Sequence, residues 1–455
     1  MNRAIFYQLV IGAALVLLSA CSTARQPLNP GTDLPPRFSE SGFREPSQKW
    51  WEDFADPELD PLIETALADN PSLRATWDRL SQAEAIVQRE RAGLFPALEV
   101  GAEAGGFKSE PPVRRADFGF SSTASYELDL WGRVRQNTAA AAADTRALEA
   151  ELQAAAISLS STVATVWYEL IEQRAQLDLL DRQIANNERL LELVTLRFRQ
   201  GQVPAADVLR QRQLVEDRRG DRAEVGAEIK LREHALATLI GRAPTTLRFP
   251  NRRELINLPS LPATGVPAEL LQRRPDVRQA VQRIEAADAR VAVAIADRYP
   301  RIDLRAVYET TAISPSALFI SWIATFVSQL TQPLFDAGRR AAEVDRTRAV
   351  ASEAINNYRS KVLESLQEVE DALARERRQR ELLASLVSQL KLASDTTTSL
   401  RDRYIQGAVN YLDILNATTS QQDLERRILS ARRDLIAQRI ALVRALAGGW
   451  TMKMP

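Results

Sequence analysis

Apolar residues repeat along this chain at two different periods, and the switch between them occurs twice. From Pro57 to Arg91, Leu62, Ala66, Leu73, Trp77, Leu80 and Val87 are spaced by three, four or seven, predicting a helix that Gly93 and Pro96 stop. Residues 97–107 then alternate, with Leu98, Val100, Ala102 and Ala104 opposite Glu99, Gly101, Glu103 and Gly105. Residues 118–130 do the same, Phe118, Phe120, Ala124, Tyr126 and Leu128 opposing Gly119, Ser121, Thr123, Ser125 and Glu127. Both stretches predict strands, joined by a polar loop that holds Lys108, Pro111, Pro112, Arg114 and Arg115.

The longest periodic run covers 131–200. Leu148, Leu152, Ala155, Leu159, Val163, Val166, Leu170, Leu177, Leu180, Ile184, Leu191, Val194 and Phe198 step by four and three, with Gln173 and Asn187 at the skipped positions. This is a coiled-coil or bundle seam, and at about 1.5 Å per residue its helix reaches on the order of 100 Å. Gly201 suits the residue just past a helix end and Pro204 the first turn of the next helix, which returns through Val208, Val215, Val225, Ile229, Leu236 and Leu239.

The order then starts again. Phe95-Pro96-Ala97-Leu98 recurs as Tyr299-Pro300-Arg301-Ile302, Gly132-Arg133 as Gly338-Arg339, and the turn Arg197-Phe198-Arg199-Gln200-Gly201 as Arg403-Tyr404-Ile405-Gln406-Gly407. A repeat that preserves order and spacing predicts a duplicated architecture. The second half alternates over 301–310 and 318–332, predicting its own strand pair. The resulting organisation is a leader at 1–20, an extended Pro-rich arm at 21–56, repeats at 57–240 and 268–447, a Pro-rich connector at 241–267 and a tail at 448–455. Trp50, Trp51 and Phe54 are placed to pack the end of the arm onto the body.

Charge changes this picture little: Lys+Arg and Asp+Glu are equal at 59 each, so no global field points to nucleic acid. The amino terminus changes it more. Arg3, an apolar run from Leu9 to Leu18, and Leu18-Ser19-Ala20-Cys21 have the order of a secretory signal ending in a lipobox-like tetrapeptide. Cys21 is the only cysteine, which excludes disulfides within the chain. The resemblance of the tetrapeptide to the lipobox of bacterial lipoproteins implies that Cys21 is acylated, and Ser22 after it, in place of an aspartate, implies the outer membrane. No later uninterrupted run reaches the roughly 20 apolar residues of a spanning helix, so a mature protein that crosses a bilayer does so as a β-barrel. Four strands cannot close such a barrel, and the helical seams also need neighbours, so several copies must pool both. A half-solvated sheet on a lipid-anchored periplasmic coiled-coil scaffold shows the same alternation.

Tyr126-Glu127-Leu128-Asp129-Leu130-Trp131-Gly132-Arg133, Arg273-Arg274-Pro275-Asp276-Val277 and the paired turns resemble the TolC-type outer-membrane efflux proteins, most closely the lipoprotein branch with OprM and the NodT group. The resemblance implies an α+β membrane protein, internally duplicated, whose four β-strands per chain contribute to a trimeric twelve-stranded outer-membrane barrel and whose long antiparallel helical hairpins form a periplasmic tube. It also implies a passive duct fed by an inner-membrane pump of the RND class through a periplasmic adaptor, with no cofactor. A duct of this type serving protein secretion is the other member of the class.

By the same resemblance, Asp413 falls on a constricting carboxylate of a closed aperture, Asn416 stands where the namesake carries a second, and Tyr404 and Asp207 match gate-link partners. Val409 stands where the namesake carries an arginine. Arg197, Gly201, Arg403 and Gly407 fall on the turns where the adaptor docks. From position alone, Asp207 and Asp413 are also ordinary acids of a first helical turn. Catalytic chemistry has no carrier: His234 sits inside a helical segment beside Glu233, and no Gly-rich phosphate loop or metal-spaced cluster is present.

Overall fold

The computed structural model describes residues 34–43, 49–109, 113–244 and 246–446. The first repeat runs α1 (Leu59–Asp69), α2 (Pro71–Ala92), β1 (Ala97–Ser109), β2 (Val113–Glu127), α3 (Arg133–Arg199) and α4 (Ala205–Leu239). The second runs α5 (Pro267–Arg273), α6 (Pro275–Ala296), β3 (Arg301–Ala312), β4 (Ile323–Thr331), α7 (Arg339–Ile405) and α8 (Tyr411–Ala445). Duplication extends to length: α2 and α6 have 22 residues, α3 and α7 have 67, and α4 and α8 have 35.

The periodicity missed one break. It predicts a single helix from 57 to 91, whereas Asn70 ends α1 and starts α2 by accepting the Leu73 amide on its side chain at 3.0 Å, with Pro71 next. The apolar stripe passes straight through this joint, so the pattern does not reveal it. Strand ends also moved. β1 and β2 reach into the predicted loop, pairing Lys108 with Arg114 and Phe107 with Arg115, and β2 stops at Glu127 rather than 130. Residues 318–322 alternate but are not strand: Pro315 starts a short 3-10 turn, and the Thr310 hydroxyl donates to the Leu318 carbonyl and, at 2.7 Å, to the Ser321 carbonyl.

The four strands form one antiparallel sheet in the order β1-β2-β3-β4, so the β2–β3 pairing joins the repeats. Registers such as Val100–Ser122–Tyr308–Ala324 and Leu98–Ala124–Ala306–Phe326 put the apolar rows on one face. Glu99, Glu103, Thr123, Arg305 and Glu309 lie on the other. The apolar row is bare: Leu98 is 71% exposed, Phe326 72% and Leu330 65%. Edge strands β1 and β4 have no second partner among the described residues.

The helices pack where their stripes meet, α3 against α2, α4, α6 and α8, and α7 against α6 and α8. The main core lies around the middle of α3. Trp51, Trp167, Leu59, Ile63, Leu170 and Ile171 are fully buried there, and Trp50 packs edge-on against Trp51 and Phe54. The arm's aromatic cluster is therefore core. An 18-residue window of α3 is apolar enough by composition to cross a bilayer, contrary to the expectation that no such run follows the leader. More than half of it, 56%, is buried inside the chain, as a core helix requires.

Polar anchors surround this core. Asp56, fully buried, accepts from Trp167 Nε1 at 3.1 Å and from Arg252 of the connector at 2.6 Å. Arg439 on α8 pairs with Glu376 on α7 at 2.7 and 3.0 Å and also donates to the connector carbonyls of Pro259 and Ser260. Arg274 of the Arg-Arg-Pro-Asp-Val motif donates to Asp276, Glu368 and the Ala445 carbonyl, tying α6, α7 and α8 together. Burial opposes ionisation of Asp276, but the Arg274 hydrogen bonds and charge prevail and hold its carboxyl below the usual range. Phe38 packs with Leu270, Val369 and Leu373, while Gly42 donates its amide to the Pro262 carbonyl, so the arm is stitched to the second repeat as well.

Candidate functional site

The hairpin turns lie one helix length, about 100 Å, from the sheet. Each is closed by the same two hydrogen bonds. Gln202 N donates to the Arg197 carbonyl and Gly201 N to the Phe198 carbonyl, both at 2.9 Å; Ala408 N donates to Arg403 at 2.8 Å and Gly407 N to Tyr404 at 2.9 Å. Gly201 at φ 69° and Gly407 at φ 77° occupy the left-handed conformation that lets the chain reverse.

After the turns the copies diverge. Pro204 is the N-cap of α4 rather than its first helical residue, whereas Asn410 caps α8 in a reciprocal box: its side chain receives the Asp413 amide, and the Asp413 carboxylate accepts the Asn410 amide at 3.3 Å. Asp413 is exposed, as is Asn416 one turn on. Asp207 is buried and paired with Arg210 at 3.1 Å. The two acids at matched positions thus sit in different surroundings.

Tyr404 is 2% exposed and forms, with Val194, Val208, Tyr411 and Ile414, an apolar cluster that joins the hairpins. Arg197 closes over it: the guanidinium carbon lies 4.4 Å from the Tyr404 ring centre, and Nη1 donates to the Tyr404 carbonyl at 2.6 Å. Gln202 braces the same guanidinium at 3.2 Å. The Tyr404 hydroxyl has no hydrogen-bond partner among the described residues, and Asp207 bonds to Arg210 instead. Burial pushes the Tyr404 hydroxyl above its usual pKa, opposed by the Arg197 charge and reinforced by Asp207. Arg197 is thereby turned into the chain, while Arg403, Gly201 and Gly407 remain on the surface.

Above this cluster runs a buried polar ladder between the hairpins. The Tyr411 hydroxyl donates to Gln211, whose amide donates to the Asn187 carbonyl at 2.8 Å. Asn187 and Gln422 exchange side-chain amide bonds at 3.0 and 3.3 Å, and Gln183 donates to the Gln422 carbonyl at 3.2 Å. The gap in the apolar seam at Asn187 signalled this ladder. Gln211 and Gln422 had no such signal, since amides are common on solvated helix faces. Cys21 lies outside the described residues.

A sheet apolar on one face and open at both edges, carried on paired helical hairpins, is the subunit of an oligomeric outer-membrane duct. The chain belongs to the outer membrane efflux protein family, whose profile matches residues 62–242 and 266–448. It is 29% identical over 461 residues to the pyoverdine export outer membrane protein OpmQ of Pseudomonas putida, covering 96% of each chain. It is 27% identical to the cation efflux system protein CusC of Escherichia coli, covering 95% of this chain and 96% of CusC. Among solved structures, CusC superposes with a TM-score of 0.85 at 26% identity over 94% of this chain and 100% of that one. The open state of the Neisseria gonorrhoeae MtrE outer membrane channel gives 0.84 at 28% identity over 93% and 97%. The chain has the family's fold, a trimeric barrel continued by a helical tube, and is an outer-membrane efflux duct.

Proposed function

We propose that three copies, each held to the outer membrane through acylated Cys21, close β1 against β4 of a neighbour and gather their hairpins into one tube. The tube is shut at the turns. An adaptor docks on the exposed surface around Gly201, Gly407 and Arg403 and couples the duct to an inner-membrane pump of the RND class. Cargo is small: relatives of this chain are named for pyoverdine, toluene and cations. The observation that carries this reading is the Arg197–Tyr404 clasp, a contact between hairpins that can be broken without unfolding either one.

Within that reading, Asp413 lines the aperture, with Asn416 one turn above it and Asp207 behind. Its carboxylate already serves the α8 cap, and its exposure leaves it facing solvent. Three such carboxylates at one constriction concentrate negative potential and favour cations. In planar bilayers, Asp413→Ala lowers the cation preference of the resting pore; unchanged selectivity would place Asp413 outside the aperture.

A further inference from the structure

The repeat makes one clasp into half of a set. Arg197, Phe198 and Gly201 of the first turn correspond to Arg403, Tyr404 and Gly407 of the second, 206 residues later. Within the chain, the arginine of turn one is closed on the aromatic ring and glycine of turn two. A methyl group placed on Gly407 would lie 3.9 Å from Arg197 Nη2. The mirror-image set is vacant. Arg403 is exposed and its side chain has no ion pair or hydrogen bond among the described residues, Phe198 is 42% exposed against 2% for Tyr404, and a methyl group on Gly201 would touch nothing within 4 Å. Leu209 is 63% exposed, although its counterpart Leu415 packs on the Tyr404 cluster.

We propose that Arg403 clasps Phe198 of a second copy of this chain, stacking its guanidinium on that ring beside Gly201 and donating to the Phe198 carbonyl. The duplicated turns supply the geometry, and the six turns of the trimer then form one ring of alternating joints, three within chains and three between them. This rests on the trimeric reading above. The joints are not equal. Gln202 braces Arg197, but its counterpart is Ala408, which has no side-chain acceptor, and the ring that receives Arg403 is a phenylalanine outside any buried cluster. The joints between copies are the weaker ones, and the ring parts there first, which returns Arg403 and Gly201 to the surface on which the adaptor docks.

The test places photoreactive p-benzoylphenylalanine at position 198 or 404 in the full-length purified protein. Trimers are first verified by native mass spectrometry and assembled from light and heavy-isotope chains, so that links between copies are distinguished from links within one. After irradiation, the probe at 198 captures a peptide containing Arg403–Gly407 of another copy, giving a band of twice the chain mass; the probe at 404 captures the Arg197 peptide of its own chain. Arg403→Ala lowers the 198 link about fivefold, equivalent to about 1 kcal/mol at 1.4 kcal/mol per tenfold. Trimers whose 198 probe labels other segments, or whose yield is indifferent to Arg403→Ala, overturn the clasp alone. Absence of trimers overturns the trimeric reading and the clasp together.

Discussion

The region around the connector and the region around the turns bind the same helices in opposite ways. Near the connector, each ion pair takes at least one charge out of water: Arg439 and Glu376 are both buried, buried Arg274 is held by Asp276 and the more exposed Glu368, and buried Asp56 is held by Arg252. Trp51 and Trp167 are fully buried beside Asp56, to which Trp167 donates. Separating such pairs leaves buried charge, a cost that no partial motion recovers. Nearest the turns, the hairpins meet through one small apolar cluster, one arginine over a ring, and amides that water can satisfy in place of each other, with the Arg426–Asp221 ion pair at 2.8 Å only one turn of α8 beyond Gln422. On the proposed reading, the connector end of the tube is the fixed one and the turns are the end that parts.

That contrast is most severely tested at Arg439. Arg439→Ala leaves buried Glu376 with only the partly exposed Arg380 as its ion-pair partner and is expected to lower stability by about 3 kcal/mol, read as a large fall in thermal unfolding temperature. Replacing both partners, Arg439→Met with Glu376→Leu, should recover much of it. Little loss in the single variant would mean that the connector region is not the fixed end. A smaller effect is expected at the ladder, where Asn187→Leu strands the Gln422 amide for about 1–2 kcal/mol. Its coupling to Gln422→Leu in a double-mutant cycle should be plain, and hydrogen exchange should quicken in the lower halves of α3 and α8 while remaining slow around Trp167. Additive substitutions would show that the amides do not act across the hairpins.

Much of this architecture was legible in the sequence because its signals are repetitive. A seam sustained from Leu148 to Phe198 fixes a long helix, Gly201 and Gly407 mark its reversals, and the return of the order after the connector reveals the duplication. What escaped depends on single contacts. The break at Asn70 leaves the apolar stripe intact, and the Thr310 hydroxyl diverts residues 318–322 from a strand that their alternation favours. At the turns, positions were readable but directions were not. Arg197 and Arg403 occupy identical local sequence patterns, yet one is closed on Tyr404 and the other is open, because only hairpin packing decides where each guanidinium lands. Asp207 and Asp413 diverge similarly through the difference between Pro204 and Asn410 as caps.

The smallest structural change bears most directly on the gate. Tyr404→Phe removes a hydroxyl that bonds to nothing among the described residues but keeps the ring beneath Arg197, whereas Arg197→Ala removes both the cation–π contact and the carbonyl bond, about 1–2 kcal/mol together. The deciding measurement is the closed-state conductance of purified trimers in planar bilayers for these two variants. A clear rise for Arg197→Ala with little change for Tyr404→Phe is the predicted result. Unchanged conductance in Arg197→Ala would contradict a duct held shut by the clasp between its turns.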